Sequence, residues 1–121
     1  METKIIKFDL PYPVNCSINH LYNRTKNGCF VNKNAKKYKE NVYYLLYNQS
    51  KFGFQNVQLE MIIHPPDNRK RDLDNILKIV FDSLEFSKII ENDFQIVQLC
   101  VKKKEVMKNG ILKITISEIL T

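Results

Sequence analysis

The stretch "KRDLDNILKIVFDSLEFSKIIENDFQIVQ", residues 70–98, decides the fold. From about Asp74 to Phe86 its apolar residues keep helical spacing. Ile76, Leu77, Val80, Phe81 and Leu84 make one stripe, and Asp74, Lys78, Asp82 and Glu85 lie on the opposite side. "FQIVQLCVK" (94–102) then reads as a strand. Before the helix, "VQLEMIIH" (57–64) alternates Val57, Leu59, Met61 and Ile63 on one side, another strand, which Pro65 and Pro66 stop. The path of "SKIIEND" (87–93) therefore sets whether these two strands run parallel or antiparallel.

Working outward, "TKIIKFDL" (3–10) reads as a first strand ended by Pro11 and Pro13. A polar stretch, "NCSINHLYNRTKNGCFVNK" (15–33), follows. Loops that long are uncommon in compact domains and are usually functional or mobile. It interleaves Arg24, Lys26 and Lys33 with Tyr22 and Phe30, a mixture that suits a nucleic-acid backbone and its bases. An ordinary solvated loop with a "KNG" hairpin turn explains it equally well. From about Asn34, a candidate N-cap, to Gln49 the spacing is helical again, with Ala35, Tyr38, Val42, Leu45, Leu46 and Gln49 on one face. "GILKITISEI" (110–119) is a last strand, and Lys108-Asn109-Gly110 predicts a hairpin between it and the strand from residue 94. The predicted order is β-α-β-α-β-β: one α/β domain, of the α+β kind, over residues 1–121, with a mixed sheet and two main helices.

The bulk numbers agree with one domain. The chain has 121 residues, 44% of them hydrophobic, enough for a single core. No apolar run approaches the ~18 residues of a membrane span, and "METKIIKFDL" has no apolar h-region. Cys16, Cys29 and Cys100 are odd in number and scattered, which suits a reducing cytoplasm. Cys16 and His20 lack a second pair at zinc spacing. A net charge of +6 favours an anionic partner, of which nucleic acid is the commonest, although lysines solvate any surface.

Against that basic background, "RKRDLDNILK" (69–78) sets Asp72 and Asp74 two positions apart beside Arg69, Lys70, Arg71 and Lys78. One aspartate has a plain explanation as a helix N-cap, with Lys78 pairing one turn on. Two do not. In an extended segment both carboxylates point the same way and repel unless a cation lies between them. A hard divalent ion fits, because Mg²⁺ takes one or two protein carboxylates and keeps several waters. In a basic protein that arrangement suits phosphodiester chemistry, with Lys78 reaching the phosphate. A third acid is then expected, and "IIEND" (89–93) offers Glu91 and, at the strand entry, Asp93. The helix from 74 to 86 is ~20 Å long at ~1.5 Å per residue. A parallel return would leave Asp93 at the wrong end of the sheet. Seven extended residues reach ~23 Å at ~3.3 Å each, so "SKIIEND" just suffices to run back along the helix. The expectation is a strand from residue 94 antiparallel to the one at 57; otherwise Asp93 serves a site on a second subunit.

These residues resemble a known family. "RKRDLDNILKIVFDSL" followed by "ENDFQIVQ", with the "LPYPV" start, the "KKYKENV" helix and the "GILKITISEI" end, is similar to the RusA family of Holliday junction resolvases. The resemblance implies a homodimeric, Mg²⁺-dependent endonuclease of DNA recombination and repair, with Mn²⁺ as a substitute metal, that nicks four-way junctions symmetrically. It implies metal ligands at Asp72, Asp74 and Asp93 and an essential lysine at Lys78. Arg71 matches the family's basic residue before the first aspartate. Asn92 departs from relatives with a further aspartate there. DNA contacts are expected from Arg69, Lys70, Arg71, Arg24, Lys26 and Lys33. "FSKII" (86–90) is a candidate dimer surface. The other readings are a catalytically silent DNA-binding protein of the same fold and a fork or flap nuclease.

Overall fold

Hydrophobic alternation in three long strands and a stripe on each of two helices close a single core. The computed structural model describes residues 3–14, 22–25, 28–31 and 33–120, and the backbone alone at 22–25 and 28–31. In chain order the elements are β1 (Ile5–Pro11), β2 (Tyr22–Thr25), β3 (Gly28–Val31), α1 (Lys33–Leu46), β4 (Val57–His64), α2 (Leu77–Phe86), β5 (Ile96–Lys103) and β6 (Ile111–Glu118). One-turn 3-10 segments, Leu73–Ile76 and Asp93–Gln95, precede α2 and β5. The α+β class and the mixed sheet are as expected.

The main sheet has the order β1-β6-β4-β5. β6 pairs antiparallel with β1 on one side and β4 on the other. Val57, Leu59, Met61 and Ile63 of β4, with Leu112, Ile114 and Ile116 of β6, bury one face under the helices. From α1 come Ala35, Tyr38, Val42 and Leu46; from α2 come Ile79, Val80 and Leu84. The opposite face carries Glu60 and Lys113 to solvent, the one-sided arrangement of largely antiparallel sheets.

Two expectations about the main sheet need correction. β5 runs parallel to β4, Ile96 beside Val57 and Ile63 beside Lys103, and α2 is the crossover between them. β5 and β6 form no hairpin, because β4 lies between them; the turn at Asn109-Gly110, both at positive φ, joins strands two places apart. Within the polar stretch, β2 and β3 pair antiparallel as a separate ribbon. Residues 15–21, with Cys16 and His20, lie outside the described residues, as does Lys26. Lys33 begins α1, one residue before the expected cap at Asn34.

The crossover depends on how α2 ends. Lys88 takes a left-handed conformation at φ 63°. The Lys88 N–H donates to the Glu85 carbonyl and the Ile89 N–H to the Leu84 carbonyl, the paired bonds of a Schellman cap. Leu84 and Ile89 are both fully buried and seal that cap. The chain turns under the helix and never runs back along it. Ile89 and Ile90 are core residues, so the only exposed apolar residue of "FSKII" is Phe86, whose ring meets Tyr43 edge-on.

Beyond the cap, Gln95 anchors the entry to β5. It is fully buried. Its Oε1 accepts from the Glu91 and Asn92 N–H groups at 2.7 and 2.8 Å, and its Nε2 donates to the Gly53 and Gln55 carbonyls at 2.7 and 2.8 Å. β5 is an edge strand with Lys102 and Lys103 exposed, as edge protection requires.

Candidate active site

β1, β4 and β5 all point the same way, because β1 and β4 are each antiparallel to β6 and β5 is parallel to β4. Their carboxyl ends gather three segments at one edge of the sheet: Tyr12–Val14 after β1, Pro65–Ile76 after β4, and Lys104–Gly110 after β5. Ligands of open α/β sheets bind beyond the carboxyl ends of parallel strands. The segments are laced together by backbone bonds from Lys104 N–H to the Ile63 carbonyl and from Met107 N–H to the Pro65 carbonyl. Buried His64 adds a 2.9 Å bond between its Nδ1 and the Glu105 carbonyl, the structural role its position before two prolines suggests.

This edge is basic, carrying Arg69, Lys70, Arg71, Lys103, Lys104 and Lys108. Its order comes from Asp67. The Asp67 carboxylate accepts from Arg71 Nη1 at 2.7 Å and from the Arg69 N–H at 3.0 Å. Those two bonds, the Arg71 one first, hold its pKa down at about 2. The same pairing raises Arg71. The Arg71 guanidinium lies 5.6 Å from the centre of the Tyr12 ring, and burial pushes the Tyr12 hydroxyl up, with Arg71 pulling the other way. Arg71, expected to touch DNA, is first a clamp between two loops. The sequence reading gave Tyr12 and Asp67 no role; Asp67, four residues before Arg71, was the available signal.

Asp72 takes the N-cap position of the 3-10 turn in extended conformation, and its side chain makes no cap bond. Asp74 lies inside that turn, so it is not the cap, and the two-residue alternation of an extended segment does not hold here. Both aspartates are exposed, and among the described residues nothing is bonded to either carboxylate. Asp72 shares a small cleft with Arg69, Arg71 and Lys103. Lys78 is one turn past Asp74, where its Nζ pairs with Asp82 at 3.0 Å.

Asp93 stands elsewhere. Its N–H donates to Glu85 Oε1 at 2.6 Å, which ties it to the last turn of α2, whereas Asp72 and Asp74 precede the first. The ten residues of α2 separate them by about 15 Å at ~1.5 Å per residue. Asn92, the departure noted above, caps the turn that holds Asp93: its side chain accepts from the Phe94 N–H at 3.1 Å. Asp72 and Asp74 stand just before the amino end of α2, Lys78 lies in its first turn facing Asp82, and Asp93 follows its carboxyl end. Among the described residues no group of three His, Cys, Asp or Glu side chains converges as a metal site.

Fold and site together define a two-layer α+β domain with an exposed acid pair on a basic sheet edge. Residues 11–117 match the family described as Endodeoxyribonuclease RusA. The chain is 34% identical over 111 residues to the crossover junction endodeoxyribonuclease RusA of Escherichia coli K12, covering 90% of this chain and 91% of that one. It is 33% identical over 116 residues to the crossover junction endodeoxyribonuclease of Enterobacteria phage HK97, covering 93% and 94%. The phage 82 enzyme of the same name is 32% identical over 111 residues. The chain belongs to the RusA endodeoxyribonuclease family. No helix among the described residues is long and apolar enough to cross a membrane.

Proposed function

We propose that this protein is a divalent-metal-dependent endodeoxyribonuclease that resolves four-way DNA junctions as a homodimer, by paired symmetric nicks. The observation that carries the reading is the unpartnered Asp72–Asp74 pair on a cation-rich edge, in a chain of this family. Two exposed carboxylates with no competing bond fit a hard ion that keeps most of its waters. Bound there, Mg²⁺, or Mn²⁺ in its place, would supply an activated water and a counter-charge for the phosphate. Asp72 and Asp74 would hold that ion. Arg69, Lys70 and Lys103 draw the DNA backbone toward it. Lys78 releases its weak surface pair with Asp82 and offsets charge that builds on the phosphorus.

Asp93 completes the ligand set from the second subunit. A two-fold axis beside the middle of α2 exchanges the ends of that helix between copies. The partner's Asp93 then meets the Asp72–Asp74 pair, and the reverse holds at the second site. Each acid has an exposed apolar neighbour: Leu73 lies between Asp72 and Asp74, and Phe94 follows Asp93 with 68% of its surface free. The same exchange buries Phe94 near the partner's Leu73, which replaces "FSKII" as the dimer surface. A four-way junction has matching two-fold symmetry, so two such sites cut two strands at equivalent positions.

Incubation with a synthetic mobile junction and Mg²⁺, with both nicks mapped, tests this. Paired nicks at symmetric positions are expected. Equal cutting of forks and flaps would favour a broader nuclease, and tight binding without nicks a silent junction-binding protein.

A further inference from the structure

Beside the acid pair the same sheet edge opens into a groove of about 710 Å³, within the ~300–1,000 Å³ of small-ligand sites. Tyr12 and Pro66 form its back, and Arg69, Asn75, Lys108 and Asn109 line it. Its back wall is tightly built. Gly110 sits at φ 70°, and a Cβ there would come 2.6 Å from Tyr12 Cβ and 3.1 Å from Pro66 Cδ. The Lys108–Gly110 turn is therefore held directly against the β1 exit and the β4 exit. Among the described residues the one acid on the wall, Asp67, is consumed by Arg71 and the Arg69 N–H. Arg71 is consumed in turn by Asp67 and the Tyr12 ring.

What remains for a ligand is specific. Arg69 keeps a loose 3.8 Å approach to Asp67 with most of its side chain in solvent, and Lys108 is exposed. Between these cations stand two carboxamides, Asn75 and Asn109, which have no partner among the described residues. A purely phosphate-binding groove needs only the cations. Carboxamides present a donor and an acceptor side by side, the pattern that reads a base edge. Asn75 directly follows Asp74, and the small cleft that holds Asp72 shares Tyr12, Arg69, Arg71 and Ile76 with the groove, so the two adjoin.

We propose that this groove seats one unstacked nucleotide of the strand being cut, next to the scissile phosphate. Asn75 and Asn109 contact the edge of its base, and Arg69 and Lys108 hold the flanking phosphates. The inference rests on the junction-nuclease reading and deepens it, because it assigns recognition of the nicked step to Asn75 and Asn109. Extruding a base is least costly where pairing is already disturbed, and the exchange point of a junction is such a place.

The test uses Asn75→Ala and Asn109→Gly, the latter because glycine keeps the left-handed conformation at φ 68°. Each full-length protein is assayed on junctions that present every dinucleotide step at the exchange point. Junctions carrying 2-aminopurine there are titrated without metal. Wild type is expected to prefer certain steps by about tenfold or more and to raise 2-aminopurine emission on binding. Both variants should flatten the preference and blunt the emission. A preference kept by both variants, an equal slowing of all steps, or wild-type binding without an emission change would overturn the inference. Cutting junctions with no base preference overturns the groove assignment alone, whereas failure to cut any junction overturns the junction reading beneath it.

Discussion

The two ends of α2 are built on opposite principles. At its carboxyl end Asp93 is over-determined: Glu85 holds its N–H, Asn92 caps its turn, and buried Gln95 closes that turn on the Glu91 and Asn92 N–H groups and ties it to the 53–55 segment with two bonds. At its amino end Asp72 and Asp74 project from a one-turn 3-10 segment with nothing bonded to their carboxylates among the described residues. Order at this end comes from the clamp of Asp67, Arg71 and Tyr12 behind them. A rigid acid at one end and an unspent acid pair at the other suit a site assembled between two copies. In the proposed dimer the partner's Asp93, carried on a backbone held at its N–H, would join that pair around the metal.

The largest effect should come from emptying either end of its charge. Asp72→Asn is expected to lower junction cutting by at least ~10²–10³-fold while junction binding holds or tightens, since a negative charge beside phosphate is gone. Cleavage at a near wild-type rate with Mg²⁺ would remove Asp72 from the ligand set.

Next comes the scaffold of the rigid end. Gln95→Ala strands the Glu91 and Asn92 N–H groups and the Gly53 and Gln55 carbonyls. A cost of about 2–4 kcal/mol is expected, read as a fall in Tm of about 10 °C or more. A shift of a degree or two would mean that water replaces the side chain freely. A surface change at the same end should cost less. Phe94→Ala is expected to weaken the dimer by about tenfold, on the order of 1–2 kcal/mol, in sedimentation at micromolar protein. An unchanged dimer would move the interface away from Asp93.

The smallest effect concerns the clamp. Asp67 titrates at about 2 in the fold against an ordinary value of 3.8. A depressed carboxylate contributes stability that is complete above the unfolded pKa and is lost as pH falls through the folded one. The stability gap between wild type and Asp67→Asn should be constant above about pH 5, narrow below pH 4 and close near pH 2. A gap that persists at pH 2 would assign it to something other than the ionised carboxylate.

Much of this was legible in the residues. The stripes that place α1 and α2, the alternation in β4, and the acid pair among cations all come from local periodicity. What failed was non-local. "SKIIEND" has the reach to run back along α2, and no glycine marks the cap that stops it; Lys88 supplies the left-handed conformation a glycine usually provides. The Lys108-Asn109-Gly110 turn has hairpin chemistry, but β6 is paired by β1 on one side and β4 on the other, which leaves no edge for β5. The reach argument tied the direction of β5 to the location of Asp93, so one wrong cap reversed both.

The account's central claim is that each active site takes Asp72 and Asp74 from one subunit and Asp93 from the other. Mixing Asp72→Asn with Asp93→Asn protein, each inactive alone, tests it directly. In a mixed dimer one site carries both lesions and its twin carries none. Recovery of single-strand nicking, at about a quarter of the wild-type site count for random re-pairing, is the predicted result. Failure of the mixture to nick, with exchange of subunits demonstrated, would contradict the claim.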